Sequence, residues 1–509
     1  MLRPDDRLYF IHIPKTAGTS LIAWLDGYFD VEEICPAQLW AQMARLPIGS
    51  LHRYRFFRGH FGAEGLKQLL PRPPVTITML REPVSLAVST YRFILREPGI
   101  PVHSLVKREG LTFEEFIRDR RTRHKVSNLQ TSNLSFAFRW EPAKEPLGGG
   151  KATRTALRDW LHARRERLKP RERLRRARRN LRRCRAFGLV ERFDDSLLLI
   201  AYAMGWPAPA PVQRLMVAPA TVAPEAGEAG RSGTPSPEVV EQVKRLNPLD
   251  LALYRSAQRL FDQRWRRMVT HLERFAQPGD ESLDERERLR QRLDRHFMHC
   301  QRRRNVTPVD SMRIDMDGPL LGAGWHRREI NPSDGSTFRW TGPGSRSTIN
   351  LPLRAEADLR VTLRLLPAAA DAAVNGLRLI AGDTPVALER IHPREPAFTL
   401  QGVIPRGAVS SGSPVTRLEM EVDSLTTIDD EGGEERARVV GVPVAWIDVR
   451  PCTTLPAGSL PPESVTPQQT ARRRAARRAS RLRALARGLA SMPVIGGRLR
   501  ELWQRFRAR

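Results

Sequence analysis

The stretch Leu8-Tyr-Phe-Ile-His-Ile-Pro-Lys-Thr-Ala-Gly-Thr-Ser20, running on into Leu21, Ile22, Trp24 and Leu25, decides the fold. Residues 8–13 are a short β-rich run, residues 14–20 a loop with one glycine and three hydroxyls, and the apolar residues after it fall at helical spacing. The reading is strand, loop, helix. A second copy follows at Val75-Thr-Ile-Thr-Met-Leu80, then Arg81-Glu82-Pro83 and a helical pattern through Leu86, Val88, Tyr91 and Phe93. Proline suits a helix start because its missing N–H has no partner there. Two such units within the first hundred residues predict a parallel sheet flanked by helices.

A loop that joins a strand to a helix N-terminus binds anions. Free backbone N–H groups and the helix dipole point at the ligand. Gly18 permits close approach, and Thr16, Thr19 and Ser20 add hydroxyl donors. The pattern differs from a nucleoside-triphosphatase loop, where Gly-Lys-Ser/Thr comes last with its hydroxyl on magnesium. Here Lys15 comes first, which disfavours triphosphate chemistry.

Working outward, the 509 residues leave room for two or three domains. The first domain is read over 1–275. It carries an arginine-rich helical insert at 151–185 after Gly148-Gly-Gly150, a further strand at 187–190, and a helix at 197–204 capped by Asp194-Asp195-Ser196. Residues 208–237, rich in Pro, Ala and Gly, read as a long loop or lid, and helical periodicity returns over 239–265. A charged helical connector is expected over 276–305. Over 306–455 the period becomes alternating, at 359–365, 415–422 and 439–449, which predicts an all-β sandwich. A linker and basic amphipathic tail, 456–509, ends the sequence.

The formal net charge of +29 is local. Residues 151–185 contribute +13 and residues 471–509 contribute +12, leaving +4 for everything else. The insert reads three ways, as a solvated helix face, a glycan contact or a nucleic-acid contact. In the tail, Leu482, Leu485, Leu489, Leu499, Leu502, Trp503 and Phe506 alternate with arginines around Pro493 and Gly496-Gly497, a pattern suited to an anionic membrane surface. Cysteines at 35, 184, 300 and 452 are too scattered for a metal knuckle and too few for a disulfide scaffold, which suits a reducing compartment. With no signal-peptide core and no apolar run near 20 residues, the expected location is cytoplasmic, with peripheral attachment at the inner face of the cell membrane.

The segment Phe10-Ile-His-Ile-Pro-Lys-Thr-Ala-Gly-Thr-Ser20 resembles the 5′-phosphosulfate-binding motif of PAPS-dependent carbohydrate sulfotransferases, in particular the heparan sulfate 2-O- and 6-O-sulfotransferase branch. Thr78-Met-Leu-Arg-Glu-Pro-Val-Ser-Leu-Ala-Val-Ser-Thr-Tyr-Arg92 is similar to that family's 3′-phosphate motif, which would make Arg81 and Ser89 its phosphate ligands. Between them, Arg58-Gly59-His60-Phe61 is similar to the segment that supplies the catalytic base. Weaker likeness runs through 128–131, 188–196 and 246–254, so it covers about residues 7–265 and leaves out the β-rich domain and the tail.

The resemblance implies a sulfotransferase fold, a P-loop-like sheet, and transfer of a sulfuryl group from PAPS to a carbohydrate hydroxyl by in-line displacement. Charge grows on the leaving 5′-phosphate, where Lys15 would stabilise it, while the acceptor hydroxyl loses a proton, which His60 would take. Pro14, Lys15, Thr16, Ala17, Gly18, Thr19 and Ser20 would form the cofactor loop. Sulfuryl transfer needs no bridging metal, so none is expected. His12 is expected to pack or to orient the loop. Asn128, Gln130 and Thr131 would line the acceptor cleft, and Trp325 and Trp340 would be either sandwich core or sugar-stacking platforms. The acceptor would be a polysaccharide, glycolipid or glycoside. The alternatives are a nucleotide-dependent kinase and a nucleic-acid-binding protein that uses its arginine-rich segments.

Overall fold

The computed structural model describes residues 2–136, 168–210, 235–303 and 306–474, less 4, 68, 332–333, 368–370, 410–413, 429–437, 463–468 and 472. They fall into two compact units. The first takes in the described residues up to Val306 and Pro319–Gly324, and the second takes in Thr307–Gly318 and most of the chain from Trp325 onward.

The first unit is mixed α/β. Its sheet comprises β1 (Leu8–Ile11), β2 (Phe56–Gly59), β3 (Val75–Leu80) and β4 (Ala186–Leu189) in the order β2-β1-β3-β4. All neighbours are parallel, with Ile11 opposite both Gly59 and Thr78, and Leu80 opposite Leu189. Every residue of β1 and β4 is buried, as expected of parallel strands covered on both faces. The helices that bear on the site are α1 (Gly18–Leu25), α2 (Pro83–Arg96), α3 (Leu129–Ser135), α4 (Pro170–Arg183), α5 (Phe193–Met204), α6 (Pro237–Leu246), α7 (Pro248–Leu272) and α8 (Glu285–Arg303).

Several elements differ from expectation. β2 is a strand that the sequence does not announce. α5 begins at Phe193, so Asp194 and Asp195 sit in its first turn instead of capping it. Ser196 instead joins the helix to β4, its hydroxyl accepting from the N–H of Leu189 at 2.9 Å. The helical stretch at 239–265 is two helices, because Pro248 cannot continue α6 and restricts Asn247 before it. The segment expected to connect two domains instead packs within the first unit as α8, burying Leu289, Leu293 and Phe297 against α5 and α7. Those three residues recur every fourth position, which is an inward-facing helical stripe beneath the charged composition.

Of the arginine-rich insert, residues 151–167 lie outside the described residues, and the rest forms α4, which buries Ala177 and Leu181. Residues 211–234 of the expected lid and the tail from 475 also lie outside them.

The second unit contains antiparallel sheets of four and seven strands. Leu359–Leu365 and Thr416–Val422 are strands where alternation predicts them, and 439–449 becomes two, Arg438–Val440 and Pro443–Pro451. Trp340 is core, whereas Trp325 is half-buried with its indole N–H donated to the Thr348 carbonyl at 2.8 Å. All four cysteines are free. Among the described residues, no helix is long and apolar enough to cross a membrane.

Candidate functional site

Chain order places the site. After β1 the chain forms β2 on one side and β3 on the other, so the strand order reverses about β1. In open α/β sheets, ligands bind outside the carboxyl ends of the strands at such a reversal. His12 follows β1, His60 follows β2, Arg81 follows β3 and Glu191 lies just past β4. Four functional groups are thereby brought to one edge.

The loop between β1 and α1 is tightly wound. Lys15 and Ala17 both take left-handed backbone conformations, with φ of 64° and 57°. Non-glycine residues in that region cost of order 1–3 kcal/mol each and persist where surrounding structure holds them, commonly at ligand sites. Thr16 donates its hydroxyl to the Ile13 carbonyl at 2.8 Å, so it ties the turn rather than facing a ligand. Ser20 is buried, Thr19 is exposed and Pro14 is half-buried. Gly18 is required: a Cβ there would lie 1.9 Å from His12 Nε2.

His12 and His60 stack with ring centroids 4.4 Å apart, and Phe10 stacks on His12 at 5.3 Å. The His60 Nδ1 lies 2.7 Å from the His12 carbonyl oxygen. A carbonyl only accepts, so Nδ1 carries the proton and Nε2 holds the lone pair. Burial pulls the His60 pKa below its ordinary 6.5, outweighing the opposing effect of that hydrogen bond. His60 is therefore neutral near pH 7, in a defined tautomer with a basic nitrogen to offer. His12 is pushed down to about 3 by burial and then by His60, Lys15 and Arg58. It is a neutral spacer that orients His60 through its backbone and ring, and it stands beside both proposed catalytic side chains.

Lys15 extends its ammonium over the Phe93 ring, 4.2 Å from the centroid. Its pKa is lowered to about 8 by burial, then by Arg96 and Arg81. Arg81 donates from one guanidinium nitrogen to the Lys15 carbonyl at 3.1 Å, while its Nε is buried without a hydrogen-bond partner among the described residues. Burial, with Arg92 adding to it, lowers the Arg81 pKa against the pull of Glu191 and Glu82. Ser89 is half-buried on α2, and Arg92, Phe93 and Arg96 follow it at three, four and seven residues, on one helical stripe. The site thus gathers Lys15, Arg81, Arg92 and Arg96, with Ser89 on the same helical stripe as Arg92, Phe93 and Arg96. Arg92 and Arg96 are additions to the residues expected from sequence, although their spacing from Ser89 on a recognised helix is legible there.

Asn128, Gln130 and Thr131 do not face an open cleft. Gln130 is buried and grips the Arg81 backbone, accepting from its N–H at 2.9 Å and donating to its carbonyl at 2.7 Å. The buried Asp250 carboxylate accepts from the N–H groups of Gln130 and Thr131, at 3.0 and 2.7 Å. Asn128, with φ of 49°, bonds to Leu246, Asn247, Leu249 and Asp250. Glu191 accepts from the N–H of Glu82 at 2.8 Å and from the Tyr254 hydroxyl at 2.5 Å. The three weakly similar stretches thus form one scaffold behind Arg81, an arrangement of contacts between residues more than a hundred positions apart that local pattern could not reveal.

The described residues suit a doubly charged phosphate ester. They supply an orphaned buried guanidinium nitrogen and a set of cations, whereas Gly18, expected to let a ligand approach, makes room for the His12 ring instead. No family model matches the chain, and no curated protein matches it.

Proposed function

We propose that this protein is a PAPS-dependent sulfotransferase that moves a sulfuryl group to a hydroxyl of a carbohydrate, within a polysaccharide, glycolipid or glycoside. The observation that supports this most is the pairing of unlike groups against His12. Lys15 carries an ammonium near enough to His12 to lower its pKa, and His60, stacked on the His12 ring, offers an Nε2 lone pair. PAPS, when bound, supplies a sulfuryl group already linked to a phosphate that can leave.

The 14–20 loop would hold the 5′-phosphosulfate, and Arg81 with Ser89 the 3′-phosphate. Lys15 neutralises charge at the bridging oxygen, since its buried ammonium acts in a poorly screened setting. His60 Nε2 accepts the proton of the acceptor hydroxyl, its ring held by the His12 carbonyl. A positioned base of this kind contributes typically about 10²–10⁴-fold. We place the protein at the cytoplasmic face of the membrane, with the 471–509 tail as a peripheral contact.

Calorimetric titration of the full chain with adenosine 3′,5′-bisphosphate, followed by transfer of label from PAPS to mixed glycans, tests the reading. Binding of the bisphosphate together with label in a glycan fraction is expected. No heat at millimolar ligand removes the proposal.

A further inference from the structure

Six arginines that form no ion pair among the described residues line one groove of the first unit. α4 supplies Arg171, Arg175, Arg178 and Arg182, and α7 supplies Arg259 and Arg266 across from them. Two cavities of about 480 and 390 Å³ make up the groove and share Arg178 and Arg182. Between the arginine rows, Leu174, Leu181 and Leu260 form an apolar floor. None of these residues belongs to the site around Lys15.

The carboxylates of the two helices are engaged elsewhere. Glu172 accepts from the Lys169 N–H at 3.1 Å, Asp250 holds α3, and Asp262 pairs with Arg192 at 2.6 Å. Arg178 gives one N–H to the Ala252 carbonyl at 3.1 Å, and its Nε is buried without a partner among the described residues. So many uncompensated cations in one trough call for an anionic occupant.

The spacing selects its kind. Arg171 and Arg178, Arg175 and Arg182, and Arg259 and Arg266 are each seven residues apart, two helical turns or about 10.5 Å, with the half-buried Leu174 and Leu260 between the rows and Leu181 buried beneath them. Charges at heptad spacing on both sides of an apolar strip formed by Leu174 and Leu260 match one half of a helix–helix interface. An amphipathic helix with acidic flanks brings apolar side chains to the seam and carboxylates to the arginines on the same repeat. Single-stranded nucleic acid binds on aromatic stacking platforms, and among the described residues no aromatic lines either cavity. An acidic polysaccharide has charge but no side chains on that repeat for the leucines. We propose that the groove between α4 and α7 is a receptor for an acidic amphipathic helix of a partner protein.

The test is fluorescence anisotropy of the full chain with a labelled synthetic helix of about 18 residues, long enough to be partly helical alone, with Leu on the seam and Glu on both flanks. Its competitors are the same peptide scrambled, a polyuronate and a single-stranded oligonucleotide. The amphipathic peptide should bind at least about tenfold more tightly than the scramble and gain helicity on binding. Arg175→Glu combined with Arg182→Glu and Arg266→Glu should weaken it at least about tenfold, and that variant should prefer the peptide with Lys flanks, because the contact is set by charge complementarity. Binding of adenosine 3′,5′-bisphosphate should be unchanged in the variant, which shows that it is folded. Equal binding of the scramble, or tighter binding of the polyuronate or oligonucleotide, overturns the proposal. So does unaltered peptide binding by the variant, which would move the contact to another basic segment such as the tail.

Discussion

Replacing Gly18 by alanine separates the packing of the site from its chemistry. The added Cβ would meet Nε2, Cδ2 and Cε1 of His12 at 1.9, 2.3 and 2.8 Å, so a single ring accounts for the whole clash. That ring cannot tilt freely, because both Phe10 and His60 stack on it. Overpacking of this kind costs typically about 1–3 kcal/mol. Alanine in place of glycine in α1 returns up to about 1 kcal/mol of helix propensity. Gly18→Ala should therefore destabilise by up to about 2 kcal/mol in the native background. On a His12→Ala background the obstacle is gone, and the same change should stabilise by up to about 1 kcal/mol. The assay is thermal unfolding of all four proteins by circular dichroism, where 1 kcal/mol corresponds to roughly 2–4 °C for a unit of this size. The difference between backgrounds is the coupling, expected at about 1–3 kcal/mol. If Gly18→Ala shifts the midpoint equally in both backgrounds, the glycine is not there to admit His12 and the argument fails.

Lys15→Ala should lower transfer from labelled PAPS by at least about 10²-fold at unchanged melting temperature, because its ammonium acts on charge that develops during transfer; retention of a tenth of the rate contradicts the role. Arg81→Ala and Ser89→Ala should both weaken adenosine 3′,5′-bisphosphate in calorimetry, the arginine more because its hydrogen bonds are charge-assisted, and unaltered affinity in both would take them out of the site. The transfer rate should be highest where His60 is neutral and Lys15 is charged. At limiting PAPS, where the rate reports the free protein, it should fall on the acid side only below the ordinary histidine value of 6.5, since burial lowers the His60 pKa, and on the alkaline side near about 8, where Lys15 loses its proton. An acid limb that persists in His60→Gln assigns it to another group.

The part of the fold legible in the sequence is the local part. β1, its loop and α1 announce themselves because the period changes from extended to helical within a dozen residues around Pro14 and Gly18. β2 is four residues long and owes its existence to pairing with β1 some 48 positions earlier, so no period within it could identify it. Asn128, Gln130 and Thr131 read as cleft residues because polar side chains in a loop suggest a ligand. The side chains of Gln130 and Asn128 instead satisfy backbone groups at Arg81 and in the turn between α6 and α7, which would otherwise be buried unpaired, and Thr131 is buried. The connector misleads for the converse reason, since the charges of α8 dominate its composition while Leu289, Leu293 and Phe297 decide where it packs.

In the proposed reaction, the cations and the histidine pair answer to the same anion. In the free protein Arg81 and Arg96 stand close enough to Lys15 to favour its neutral form, and burial adds to that. A phosphate seated among them cancels the repulsion and raises the Lys15 pKa toward its ordinary value, so binding near pH 8 takes up a proton and well below that pH takes up none. The same negative charge raises the pKa of the nearby His60, which burial alone had lowered. For a lysine the shift restores the ammonium that the leaving oxygen needs. For the histidine, the shift increases the basicity that a general base uses. On this proposal one binding event readies both groups, because the His12 ring and carbonyl hold the proposed base at the strand ends where Lys15 and Arg81 also lie.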